Sequence, residues 1–221
     1  VKEMLLKLQG IRAFVFDWDG VFNSGEKNEN GSSSFNEVDS MGINLLRFSH
    51  WLLHGELPLT AIISGERNNS SFHLSTREHF DSCYFKIPHK TEALNHLCAS
   101  NNLKPNEVAF VFDDVLDLSM SKMCGFRILI NRPGASLFRN YVVSQNLADY
   151  ITGNLSGHYA IREGCELIMG LRGNCEKAME ERIAFSTEYQ LYLKQRNEKE
   201  TAFFTRQGDQ IVSEKPQLFK I

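Results

Sequence analysis

The chain has 221 residues, 42% of them apolar and 23% charged, a composition that excludes a fibrous, low-complexity or globally disordered protein. With 24 Lys and Arg against 27 Asp and Glu, the net charge of −3 provides no positive field for nucleic acid or an anionic membrane, and neither is expected as a partner. The five cysteines contain no Cys-x-x-Cys pair and read as reduced thiols; with no run of ~18 apolar residues and no signal-peptide layout at the start, a cytoplasmic protein is expected.

Strands and helices are expected to alternate. Ile11 to Phe16 is a short apolar run ending at Asp17, the signature of a strand buried on both faces. Thr60 to Ile63, Val108 to Phe112 and Ile128 to Ile130 repeat it, and Cys83 to Phe85 is a shorter candidate. Leu45, Leu46, Phe48, Leu52 and Leu53 form a helical stripe closed by Gly55, and Ala93, Leu94 and Leu97 mark a second helix. The expected fold class is α/β, a doubly wound, mostly parallel sheet whose ligands gather at the carboxyl ends of the strands.

Two segments depart from this alternation. Val21 to Val38 is polar and carries Asn30-Gly31, which predicts a projecting β-hairpin over about residues 22–38. After Asp149 the strands are expected to stop. Gly157 to Leu171 reads as a helix, and Asn174 begins another with Cys175, Met179 and Ile183 on one face. Residues 197–221 are expected to be extended or partly disordered.

The chemistry falls at strand ends. Asp17-Trp18-Asp19-Gly20 sets two carboxylates one residue apart, which suits a nucleophile beside an acid/base. It is also an ordinary polar turn. Ser64-Gly65 offers a hydroxyl and backbone N–H groups to a phosphate, or a helix cap. Lys90 opens a helix, where the partial positive charge already present disfavours it unless an anion sits there or solvent absorbs the cost. Asp113, Asp114 and Asp117 repel one another unless a cation joins them, and their oxygens favour Mg²⁺ over zinc. An acidic helix start accounts for one or two of them.

Taken together, Asp17-Trp18-Asp19-Gly20-Val21, Ile62-Ile63-Ser64-Gly65, Lys90 and Asp113-Asp114-x-x-Asp117 resemble the haloacid dehalogenase superfamily of phosphotransferases. Only 44 residues separate Asp19 from Ser64 and 25 separate Ser64 from Lys90, too few for a cap domain. The chain therefore resembles the capless phosphatases of 3-deoxy-octulosonate 8-phosphate and related nonulosonate 9-phosphates. Phe35-Asn36-x-x-Asp39-x-x-Gly42-Ile43 and Ala160-Ile161-Arg162-Glu163 extend the resemblance to about Gly173. It implies a phosphatase domain over 1–173, with 174–221 a C-terminal helix and tail.

The resemblance further implies an Mg²⁺-dependent phosphomonoesterase. Asp17 is the nucleophile that forms an aspartyl-phosphate, and Asp19 the acid and base. Asp17, the Asp19 carbonyl and Asp113 are the metal ligands. Ser64, Gly65 and Lys90 hold phosphate, supported by Asp114 and Asp117. A homotetramer with hairpins at its centre is implied as well. Four positions depart from the family pattern: Phe112 in place of a small residue, Glu66 before Arg67 in place of Arg after Ser-Gly, His89 in place of an acid, and Tyr159 in place of Gly. Alternation puts Phe110 and Phe112 on one face, beneath the helices and clear of the site. A weakened oligomeric scaffold of the same fold, or a phosphatase of another small metabolite, are the alternative expectations.

Overall fold

The computed structural model describes residues 1–216. Eight strands form one sheet: β1 (Ala13–Phe16), β2 (Leu59–Ile63), β3 (Ser82–Phe85), β4 (Val108–Phe112), β5 (Phe126–Asn131), β6 (Tyr150–Leu155), β7 (Ala202–Gln207) and β8 (Gln210–Ser213). Their order is β6-β5-β4-β1-β2-β3-β7-β8, with every neighbouring pair parallel except β7–β8. The five expected strands are all present, and the α/β class stands.

Alternation along each strand builds two cores. Phe14, Phe16, Ile62, Val111 and Ile128 face one side. There they meet α2 (Glu37–His54), α3 (Asn69–Arg77), α7 (Ala160–Arg172) and the C-terminal helices α8 (Cys175–Ile183) and α9 (Thr187–Asn197). Ala13, Val15, Ala61, Ile63, Phe110 and Phe112 face the other. They pack under α4 (Lys90–Ser100), α5 (Leu118–Ser121) and α6 (Ser136–Ser144). A short N-terminal helix, α1 (Lys2–Gln9), precedes β1. The strand order reverses beside β1: the chain steps outward through β2 and β3, then returns to lay β4 on β1's other edge. That crevice is where an open parallel sheet binds ligands.

The second resembling motif is structural glue. Asn36 caps α2 by accepting from Asp39 N at 2.8 Å, and Asp39 Oδ1 accepts from Arg162 N at 2.9 Å, locking the start of α7 to α2. Gly42 lets the two helices touch, because a Cβ there would meet Arg162 Cα at 3.0 Å.

Three expectations fail. Residues 22–36 form turns and coil with no strand, and Glu37 and Val38 already belong to α2. Asn28 Oδ1 accepts from Asn30 N and Ser32 N, each at 3.0 Å, and the backbone bonds from Gly31 N to Asn28 O and from Asn28 N to Ser32 O close the same turn, but no ladder continues from it. The strands do not stop after Asp149, because β6, β7 and β8 follow. Nor is the tail unstructured as far as residue 216: Phe203 seals one core against Phe72 and Phe204 stacks on Tyr84 in the other, which extends the sheet beyond β3. Residues 217–221 lie outside the described residues. Asn174 does stand before α8, but its side chain exchanges hydrogen bonds with Ser49 instead of capping, and Ile183 is exposed.

Candidate active site

A cavity of about 490 Å³ opens at the carboxyl ends of β1, β2 and β4. Asp17, Asp19, Ser64, Gly65, Lys90, Asp113, Asp114 and Asp117, scattered over 101 positions of sequence, all line it. Parallel strands that end together bring their following residues together, so each motif arrives by the same geometry.

Asp17 follows β1 directly and its backbone N–H donates to Val111 O at 3.0 Å, which fixes it beside β4. Asp113 follows β4. Oxygens of Asp17, Asp113 and Asp117 lie within 4.8 Å of one another, and all three residues are buried. Gly20 permits this approach: it takes φ +81°, and a Cβ there would overlap the Asp113 carboxylate. Lys90 Nζ stands 2.6 Å from Asp17 Oδ1 and also pairs with Asp117. The anions at the start of α4 that would justify a lysine there are therefore side chains of the protein itself.

Three buried carboxylates with this little room cannot all carry charge cheaply. Burial, followed by the charge of Asp117, pushes Asp17 up to about 6 against the pull of Lys90. Burial, followed by Asp17 and Asp117, pushes Asp113 up to about 8. Burial would lower the Lys90 ammonium, but Asp17 and Asp117 outweigh it and hold it above its ordinary range. Lys90 alone does not balance three carboxylates. Hard oxygen donors, buried and convergent, fit a small divalent cation such as Mg²⁺.

Asp19 lies apart from this cluster. Ser33 Oγ donates to its Oδ1 at 2.5 Å, and Lys27 Nζ stands 3.1 Å from its Oδ2. Trp18 Nε1 and Asn68 Nδ2 both donate into Ser33 Oγ, at 3.0 and 2.7 Å, leaving the Ser33 hydrogen for Asp19. Neither Ser33 nor Lys27 was identifiable from the sequence, because both sit in the segment read as a projecting hairpin.

Ser64 is not a helix cap; Asn68 caps α3. Its hydroxyl faces the cavity and accepts from Glu66 N at 3.3 Å. Glu66 also lines the cavity, whereas Arg67 turns away over the rings of Phe72 and Phe85, 5.3 and 5.7 Å from their centroids. Asp114 is the outlier of the acidic run: half-exposed, it caps the turn that follows and does not touch Lys90, a contact that Asp117 makes. Phe112 is fully buried and stacks on Phe110, 5.6 Å between centroids, on the face away from the cluster. It does not crowd the site.

Arg132, which no motif marks, donates to Asp113 Oδ2 and stands 3.3 Å from Asp114 Oδ2. It follows β5, one strand beyond Asp113, and only the sheet order brings it there.

A sheet of this order with the four motifs converging in one cavity is similar to the arrangement in solved hydrolases of the haloacid dehalogenase superfamily. The chain is 25% identical over 180 residues to the 3-deoxy-D-manno-octulosonate 8-phosphate phosphatase KdsC of Escherichia coli K12, covering 80% of this chain and 88% of the relative. The crystal structure of that phosphatase from Moraxella catarrhalis, in complex with magnesium, phosphate and the sugar acid, superposes with a TM-score of 0.68 at 25% identity over 81% of this chain and 98% of the other. The Yersinia pestis phosphatase gives a TM-score of 0.65 at 25% identity, covering 79% and 89%. No family model matches the chain.

Proposed function

We propose that this protein hydrolyses the phosphomonoester of a sugar acid such as 3-deoxy-octulosonate 8-phosphate or a nonulosonate 9-phosphate, in an Mg²⁺-dependent reaction through an aspartyl-phosphate on Asp17. The observation that carries the reading is the juxtaposition of Asp17 with Lys90, Asp113 and Asp117 in an open cavity, with Asp19 held separately two residues away.

Asp17 is the nucleophile. Its oxygen attacks phosphorus, the P–O bond to the sugar breaks, and the leaving oxygen takes a proton from Asp19. Asp19 then takes a proton from the water that cleaves the acyl phosphate, returning both carboxylates to their starting state. Ser33 and Lys27 hold Asp19 in place through this cycle. Ser64 Oγ, the Gly65 backbone and Lys90 receive the phosphoryl oxygens. Asp17, Asp113 and Asp117, with the Asp19 carbonyl that the family resemblance adds, are the residues to hold Mg²⁺. The ion supplies the positive charge that lets an anionic nucleophile approach an anionic phosphate.

A homotetramer in the cytoplasm completes the proposal. Val115 and Leu116, 59% and 75% exposed, form an apolar rim beside the cavity that a second copy would cover. The expected central hairpin does not support this arrangement.

The test is phosphate release, with and without Mg²⁺, from the two sugar-acid phosphates, a neutral hexose phosphate and a nucleotide. Preference for a sugar-acid phosphate and silence in chelator are expected. A folded protein that releases phosphate from none of them is the weakened scaffold. One that prefers the hexose phosphate or nucleotide keeps the reaction class and loses the substrate.

A further inference from the structure

Arg132 is the one cationic side chain of the site that the proposed mechanism leaves without a task. Its guanidinium sits against Asp113 Oδ2, an oxygen of the three-carboxylate cluster, and reaches Asp114 Oδ2 at 3.3 Å. The space it occupies is built for it. A Cβ on Gly20 would stand 3.2 Å from Nη1, and one on Gly25 would stand 3.5 Å from Nη2. The loop between those glycines is stiff: Asn23 Oδ1 accepts from Gly20 N and Gly25 N at 3.2 and 2.9 Å, and Ser156 Oγ lies 2.6 Å from the carbonyls of both Gly20 and Asn23. The side chain is 30% exposed and lines the cavity, so it is free to turn toward whatever the cavity contains.

Resting on the phosphatase reading, we propose that Arg132 is an exchangeable cation: it neutralises Asp113 in the metal-free protein, competes with the divalent metal for that carboxylate, and on release holds the phosphoryl oxygens of the substrate. The charge count supports an exchange. Three buried carboxylates face two cations, Lys90 and Arg132. Lys90 is buried and pinned between Asp17 and Asp117, so it cannot leave. Arg132 can, being partly exposed and held by Asp113 and the half-exposed Asp114 alone. Once a divalent ion holds Asp113, the guanidinium sits beside a neutralised site and within one side-chain swing of a phosphoryl group on Asp17. Its forked donors match two phosphoryl oxygens at once, a fit that a lysine lacks.

The experiment uses the whole chain and reads binding. Mg²⁺ affinity is measured by calorimetry without substrate, and orthovanadate affinity is then measured at saturating Mg²⁺, for the parent, Arg132→Gln and Arg132→Lys. Arg132→Gln is expected to bind Mg²⁺ about tenfold more tightly, as one competing charge is gone, and to bind vanadate about tenfold more weakly. Arg132→Lys, which keeps the charge but not the fork, should stay near the parent for Mg²⁺ and still lose vanadate. Arg132→Gln with unchanged or weaker Mg²⁺ affinity overturns the exchange, and unchanged vanadate affinity overturns the contact with phosphate. If Arg132→Gln does not fold, the lysine variant decides: full vanadate affinity there overturns the proposal. A folded parent that binds neither Mg²⁺ nor vanadate would instead sink the phosphatase reading itself.

Discussion

Carboxylates meet cations at both ends of this sheet, and the two ends treat them oppositely. At the amino ends, Asp149 receives two hydrogen bonds from the Arg127 guanidinium, at 3.0 and 2.9 Å, one from the Arg127 backbone N–H at 2.8 Å and one from Lys7 at 2.6 Å. Burial works against its charge, but those bonds outweigh burial and hold its carboxyl below the usual range. At the carboxyl ends, Asp17, Asp113 and Asp117 share Lys90 and Arg132, and both Asp17 and Asp113 are pushed up. One carboxylate with two cations is a structural device. Three carboxylates with two cations are under-neutralised, an arrangement that suits a divalent metal.

The largest effect that sharpens this contrast is on turnover. Asp17→Asn should lower the rate by on the order of 10³-fold or more while the protein stays folded, because the amide cannot form the acyl phosphate. Asp149→Asn should do the converse, costing about 3–5 kcal/mol of stability by leaving Arg127 and Lys7 without their shared anion, with turnover per folded molecule kept. Denaturant unfolding and steady-state kinetics on the two variants separate the roles. Stability lost equally in both would erase the distinction.

Next in size is Phe112→Ala, expected to cost about 3–5 kcal/mol as an emptied core site without any gain in catalytic efficiency. A gain in turnover with little loss of stability would mean the ring crowds the site after all.

The pH response should also split by end. Asp17 and Asp113 have folded values raised above the unfolded one. In metal-free protein they favour folding fully below about pH 4, and that contribution is lost as pH rises through about 6 and about 8. Asp149 is lowered, so its contribution is present above the ordinary carboxylate value and is lost as pH falls through its folded value. Asp113→Asn should therefore gain on the parent as pH rises from about 5 and level off as it passes about 8 in unfolding experiments without metal. A constant difference across that range would contradict an under-neutralised cluster.

The smallest effect concerns a departure from the family pattern. Tyr159 takes φ +67° before α7, a left-handed conformation costly for a bulky residue, where the resemblance expects glycine. Tyr159→Gly should stabilise the protein by about 1 kcal/mol, read as a shift in thermal midpoint.

What was legible in the sequence follows the same physics. Strands buried on both faces announce themselves as apolar runs, and the residues just past them, Asp17, Ser64 and Asp113, come to the site with no further information. Residues whose place depends on sheet order or on a loop's return do not. Arg132 meets Asp113 only because β5 lies beside β4, and Ser33 is drawn inward by Trp18 and Asn68 from a stretch whose Asn-Gly pair imitates a hairpin. The tail misled for a related reason: Phe203 and Phe204 serve opposite cores from adjacent positions, a strand signal diluted by the polar residues around it.

If the proposed reaction holds, Asp17 becomes phosphorylated during turnover. Acid quenching during turnover with Mg²⁺ and a sugar-acid phosphate, followed by borohydride reduction and peptide mass analysis, tests it directly. The account predicts conversion of residue 17 to homoserine in the parent and none in Asp17→Asn. Steady phosphate release with residue 17 unmodified, or modification at another carboxylate, would contradict it.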